Sequence, residues 1–189
     1  MALQQLIDEA NPWGIRAYDK GINLDDLSDE AIAVFLDWLA RKEGPLTFAP
    51  MFPLRGRYRE IPDEATAFGS SRSARWALSM VAMGLPDGPD EDFVAARAWA
   101  RGFWEAMRPL APNGATYLNF EADADEARVR DSYGEAKHRR LAALKAVWDP
   151  DNVFHHNANI RPAEQGAAGI PQPRTTSEAP VGQPSEPGA

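Results

Sequence analysis

The run Trp76-Ala77-Leu78-Ser79-Met80-Val81-Ala82-Met83, closed by Gly84-Leu85-Pro86-Asp87-Gly88-Pro89 and followed by a long amphipathic stretch to Met107, decides the fold class. The apolar octet reads as a buried strand ended by a turn-rich segment, although a run this short is not told from a helix by periodicity alone. From about Glu91 to Met107, Phe93, Ala96, Ala100, Phe103, Trp104 and Met107 recur on one side, which predicts a helix with a core-facing stripe. Pro109 and Pro112-Asn113-Gly114 stop it, and Thr116 to Phe120 reads as a further strand entered from a turn.

Upstream, Ser28 is a natural N-cap followed by Asp29 and Glu30, where the helix dipole favours acids. Ile32, Phe35, Leu36 and Leu39 then form the predicted core-facing stripe, and Gly44 stops the helix. Leu46 to Phe52 and Arg57 to Ile61 are strand candidates that could pair as a hairpin. Ile15 to Tyr18 arrives with no obvious local partner, after a short helix expected over Met1 to Ala10. Two later helices are expected at about Asp125 to Asp131 and Glu135 to Val147, the second with Leu141, Leu144 and Trp148 on one face; Asp149-Pro150-Asp151-Asn152 breaks it. This order of elements predicts an α+β fold, a mostly antiparallel sheet covered by helices.

The chain has 189 residues, enough for about one domain, and its 20 basic against 28 acidic side chains give a net charge of −8. A chain of that charge is repelled by phosphate backbones and anionic lipid, so neither nucleic acid nor membrane is an expected partner. Zero Cys excludes disulfides, thiolate nucleophiles, Cys-ligated metals and cysteinyl-flavin links, and three His are too few for most metal sites. No run suits a membrane span or a secretory signal, so the expected location is cytoplasmic. From Ala163 to Ala189 the composition is almost wholly Pro, Gly, Ala, Ser, Thr, Gln and Glu, which predicts a disordered tail.

Most chemical constellations have plain structural readings. His155 and His156, adjacent on an extended segment, should point to opposite faces, and His138 beside Arg139 and Arg140 should lie on a solvated face. Gly69-Ser70-Ser71-Arg72 could cradle an anion but reads first as a polar turn into the Trp76 strand. The Asp149 run begins like a calcium loop, but Phe154 and Ile160 stand where Gly and Glu are required. Tyr117 and Asn119, two apart on the expected strand, would share a face and set a phenol beside a carboxamide.

From that pair onward the order of residues is distinctive: Tyr117-x-Asn119-Phe120, Tyr133-Gly134, Arg140-Leu141 with Leu144-Lys145, Trp148-Asp149-Pro150-Asp151-Asn152-Val153-Phe154, and Asn157-x-Asn159-Ile160-x-Pro162. It resembles the berberine-bridge-enzyme-like C-terminal segment of FAD-linked oxidases. Asp63-Glu64-Ala65-Thr66-Ala67-Phe68 with Arg72-Ser73-Ala74, and Tyr18 to Asp29, are similar to parts of that family's substrate domain, so the resemblance spans roughly residues 11 to 162.

The resemblance implies residues 1–111 as a partial substrate domain, 112–162 as the berberine-like segment and 163–189 as the tail. It implies an FAD-dependent oxidoreductase that passes hydride from a small organic substrate, an amine or alcohol, to flavin, commonly with oxygen as acceptor. Asn119 would sit at the flavin as a cofactor-binding residue and Tyr117 beside the reaction pocket as a catalytic residue, with no metal. Many members carry a basic Tyr where Phe120 stands here, and a Phe there resembles the bacterial amine or hydroxynicotine oxidase branch. The flavin-binding domain of the family lies outside these residues, so a flavin-binding domain or subunit is the expected partner. A truncated product, a fragment of a longer gene and half of a split enzyme all fit. The rival expectation is a non-catalytic remnant acting as an interaction module.

Overall fold

Antiparallel pairing between two strands far apart in sequence organises the molecule. The computed structural model describes residues 14–111, 115–156 and 158–164; the expected Met1 to Ala10 helix and most of the expected tail lie outside these. Strand β1 (Arg16–Leu24) pairs along its whole length with β3 (Trp76–Gly84), Arg16 opposite Gly84 and Leu24 opposite Trp76. Strand β2 (Met51–Pro53) pairs with the other edge of β3, giving the order β1-β3-β2. The octet around Ser79 is therefore the central strand, and the α+β antiparallel architecture is the one expected.

The sheet has one helical side. Tyr18, Ile22 and Leu24 of β1 and Leu78, Met80 and Ala82 of β3 alternate into a core closed by helix α3 (Asp90–Met107). This helix buries Ala96, Trp99, Ala100, Phe103 and Met107, close to the expected stripe. The Arg16 guanidinium ties its start to the β1 end, donating to Gly88 O at 2.8 Å and to Asp90 at 2.6 Å. Helix α1 (Asp29–Ala40) begins as expected, with Ser28 Oγ accepting the Ala31 N–H at 3.1 Å.

Its packing phase differs from the expected one. Of the expected stripe, Phe35 and Leu39 pack on the core with the buried Ala31 and with Trp38, whereas Ile32 and Leu36 are 42% and 58% exposed. Apolar side chains surround much of this helix, so its pattern supports two phases. The one adopted stacks Trp38 on Phe103 with ring centroids 5.9 Å apart and lets Trp99 Nε1 donate to Trp38 O at 2.8 Å.

Other expectations fail for identifiable reasons. There is no hairpin between 46–52 and 57–61: Met51–Pro53 pairs with β3, and Arg57–Glu60 is a helical turn, α2, entered through Gly56 at φ 60°. Thr116 to Phe120 is not a strand, because Phe120 N donates back to Tyr117 O at 2.8 Å and closes a 3-10 turn over Leu118–Phe120. Helices α4 (Glu126–Tyr133) and α5 (Glu135–Trp148) form near their expected positions. His138 is only 8% exposed where α5 meets α4, not solvated, while Trp148 is 74% exposed and not part of a core face. The His155 and His156 rings lie 4.6 Å apart rather than on opposite faces. After α5, Asp149 caps the turn with its carboxylate, accepting the Val153 N–H at 2.7 Å, the Phe154 N–H at 3.1 Å and the Lys145 ammonium at 2.8 Å.

Candidate functional site

A free strand edge is a row of unpaired N–H and C=O groups. On β1 the segment 115–123 covers it: Asn23 N donates to Ala115 O at 3.1 Å and Ala122 N to Asp19 O at 3.0 Å. Between these bonds the Gly21 carbonyl accepts from Trp104 Nε1 at 3.0 Å and Arg128 Nη2 at 3.1 Å. Glycine is required there by space. A Cβ on Gly21 would stand 2.3 Å from Thr116 Oγ1, 2.9 Å from Phe120 Cβ and 3.1 Å from Phe120 O.

An ionic clasp holds the far end of the segment. The Lys20 ammonium pairs with Glu121 and, at 2.8 Å, with Asp123, and Arg128 reaches Glu121 at 3.3 Å. Lys20 and Arg128 both lie over the Trp104 ring, at 4.7 and 5.3 Å from its centroid. Tyr18 donates its hydroxyl to Asp123 at 2.9 Å, and burial together with that bond pushes the phenol far above its ordinary range. Burial pulls Asp123 upward, but the hydrogen bonds from Lys20 and Tyr18 outweigh it and hold the carboxyl below the usual value.

So fastened, Tyr117 and Asn119 do meet, though through a turn and not a strand: Asn119 Nδ2 donates to the Tyr117 hydroxyl at 2.7 Å. Because the phenol oxygen accepts from the amide, its own proton is free to be donated elsewhere. The Tyr117 ring stacks on Phe68 at 5.4 Å and meets Phe120 edge-on at 5.1 Å; Phe120 stacks on Phe52 at 5.8 Å. Tyr58 continues the series against Phe68, and Arg72 lies over both rings at 4.8 and 4.7 Å. The expected polar turn at 69–72 thus supplies a buried Ser70 that accepts from Asn23 Nδ2 and an arginine that braces aromatic rings.

Two hollows flank the Tyr117–Asn119 pair. One, of about 170 Å³, is walled by Phe52, Leu54, Tyr58, Tyr117 and Phe120. The other, of about 400 Å³, is lined by Leu118, Asn119, Glu121, Asp123 and Ala158 among others. Asn119 is exposed, and it offers a second amide hydrogen and a carbonyl to the larger hollow. That suits the amide-like polar edge of a flavin ring; the partly exposed Asp123 carboxylate does not suit its diphosphate. Among the described residues no cluster of three or more His, Cys, Asp or Glu side chains could hold a metal ion.

Sequence reasoning singled out Tyr117 and Asn119 but missed the clasp and most of the aromatic wall. Phe68 and Arg72 stood within the weaker upstream resemblance. Glu121 gave no local signal, and nothing local joined it to Lys20, within the Tyr18 to Asp29 resemblance, or to Trp104, in the predicted stripe, since their meeting depends on the β1 pairing.

Asp19 points to the non-helical side of the sheet, where Ser79 Oγ donates to it at 3.0 Å. Burial raises its carboxyl above the ordinary 3.8, Ser79 opposes that, and Glu121 adds to it. With the folded value raised, the folded state binds the proton more tightly than the unfolded chain, so this group's contribution is lost as pH rises through the folded value. Asp19→Asn is therefore expected to raise Tm at pH 7, with the gain shrinking towards pH 3. Thermal unfolding across that range checks it, and parallel curves for the two proteins would contradict it.

In class, the fold is similar to that of solved structures of the berberine bridge enzyme type. Residues 116–161 match the family model described as berberine and berberine-like. It is 36% identical over 105 residues to the FAD-linked oxidoreductase OXR1 of Pyricularia oryzae, covering 51% of this chain and 19% of that protein. It is 33% identical over 118 residues to the FAD-linked oxidoreductase fogF of Aspergillus ruber, covering 58% and 22%. Berberine bridge enzyme from Eschscholzia californica superposes with a TM-score of 0.68 at 20% identity, over 85% of this chain and 36% of that one. The chain thus spans about a fifth of the curated relatives' length and about a third of the solved structure's.

Proposed function

We propose that residues 115–123 form the face that meets the isoalloxazine ring of FAD, and that the whole protein oxidises a small organic substrate, an amine or alcohol, by hydride transfer to the flavin, with dioxygen as acceptor. The single observation that carries this reading is the Asn119–Tyr117 hydrogen bond at the wall between the two hollows. Bound FAD supplies the two-electron acceptor. Asn119 holds the polar ring edge, and Tyr117 presents its remaining proton to the substrate. Phe120 cannot ionise and serves as a wall against Phe52. With its oxygen accepting from Asn119, Tyr117 in this reading orients substrate by donating a hydrogen bond, and the substrate enters as a neutral molecule. Residues 1–111 act as substrate domain and 112–162 as the segment that reaches a flavin-binding domain or subunit.

FAD titration of the chain tests this, alone and with the flavin-binding domain of a related oxidase supplied in trans. Quenching of flavin fluorescence should tighten with the second domain, and Asn119→Ala should weaken it at least about tenfold, roughly 1.4 kcal/mol. Equal affinity for the Asn119→Ala protein would remove Asn119 from the flavin. An absence of binding under both conditions would favour the non-catalytic interaction module.

A further inference from the structure

The smaller hollow has a chemistry of its own. Its walls are aromatic and aliphatic carbon from Phe52, Leu54, Tyr58, Tyr117 and Phe120, and its floor is Ala77 with Asn23 and Ser70. The two polar floor residues are 6% and 4% exposed and are engaged with each other, Asn23 Nδ2 donating to Ser70 Oγ. Tyr58 in turn donates its hydroxyl to Ser71 O at 3.0 Å. No carboxylate or ammonium lines the space, and the nearby cation, Arg72, lies 4.8 Å from the Tyr58 ring centroid.

Each feature excludes a class of occupant. A sugar presents many hydroxyls, each needing a partner when desolvated, and a lining that is mostly carbon, with two polar floor residues, offers few. An ammonium would meet no carboxylate there. A flat neutral ring finds stacking and edge partners on several sides, the geometry aromatic pairs prefer. Size agrees: an apolar cavity of roughly 150 Å³ holds a benzene ring, and this one measures about 170 Å³. At the rim the Tyr117 hydroxyl, its oxygen accepting from Asn119 at 2.7 Å, has a proton to give.

We infer that this hollow binds one neutral monocyclic aromatic ring bearing a hydrogen-bond acceptor a single atom off the ring, as in an aryl carbinol. Assigning that compound as substrate rests on the flavin reading above; binding of the ring does not.

The test uses the full 189-residue chain without flavin, with benzyl alcohol, toluene, D-glucose and benzylammonium as probes in ligand-observed NMR titrations. Benzyl alcohol is expected to bind saturably at one site, benzylammonium at least about tenfold more weakly, and glucose not at all. Phe52 is 43% exposed, so Phe52→Ala should fold, verified by circular dichroism, and lose at least fivefold in benzyl alcohol affinity. Tyr117→Phe should weaken benzyl alcohol severalfold and leave toluene unchanged, a split that damage to packing would not produce. Non-saturable benzyl alcohol signals, glucose binding, or a folded Phe52→Ala protein of unchanged affinity would each overturn the assignment. FAD titration of the same proteins is read separately, so loss of the flavin site and loss of the ring site are distinguishable.

Discussion

Gly21→Ala is expected to cost about 3 kcal/mol, at the upper end of what overpacking does, and to lower Tm by roughly 6–12 °C for a domain of this size. The added methyl would meet Thr116 Oγ1 at 2.3 Å and, less avoidably, Phe120 Cβ at 2.9 Å and Phe120 O at 3.1 Å. A side-chain hydroxyl can rotate away, but the Phe120 backbone is held by its own turn and by the bond from Ala122 N to Asp19 O. Segment 115–123 must therefore lift from β1, carrying Tyr117 and Asn119 with it. Hydrogen exchange would show it as lost protection at Asn23 and Ala122. Thr116 supplies a control. Its Oγ1 is buried without a hydrogen-bond partner, so Thr116→Ala alone should cost little and should recover part of the loss when combined with Gly21→Ala. A Gly21→Ala protein as stable as the parent, with unchanged exchange at those amides, would refute the close approach.

Lys20→Met should be nearly as damaging, by about 3 kcal/mol, because it leaves the Glu121 carboxylate with half its compensation where the side chain is fully buried. The penalty comes from the stranded charge and not from the lost pair as such. Lys20→Met combined with Glu121→Gln should therefore be more stable than Lys20→Met alone, since a neutral amide needs no counter-charge. Arg128 keeps a partner in that double variant through the Gly21 carbonyl. The effect should be insensitive to salt, as buried pairs are screened little. Acid loosens the clasp late. Asp123 is held below its ordinary value, so the stability it contributes is present above 3.8 and is lost only as pH falls through the lower folded value. Denaturant unfolding of the three proteins at low and high salt measures all of this.

What could be read from the sequence was what is local. The Ser28 cap, the octet around Ser79 and the long helix ending at Met107 announce themselves within a few residues, and they stand where expected. β1 did not announce itself because Lys20 and Gly21 interrupt its alternation, and both are explained only by residues a hundred positions on: Glu121 for the lysine, Phe120 for the glycine. The phase of α1 was hidden for a different reason, an apolar surplus that Trp38 and Phe103 resolve by stacking. Tyr117 and Asn119 were found as a pair by strand arithmetic that does not apply, since the backbone there turns. The side chains meet all the same. The aromatic hollow was out of reach, because its walls come from β2, α2, the segment before β3 and the 3-10 turn, which no spacing in the chain connects.

The covering of β1 also sets a timetable. During synthesis β1 leaves the ribosome first and β3 some sixty residues later, so the central pair can form while residues 115–123 are still unmade. Until they emerge, the outer edge of β1 stands open, and β2, with three residues and a proline, protects only the opposite side. The nascent chain is thus most vulnerable to strand addition by a neighbour in the interval before Ala122 arrives. Ribosome-bound chains ending shortly before residue 115 should aggregate more readily than those extended past residue 128, where Arg128 has joined the Gly21 carbonyl.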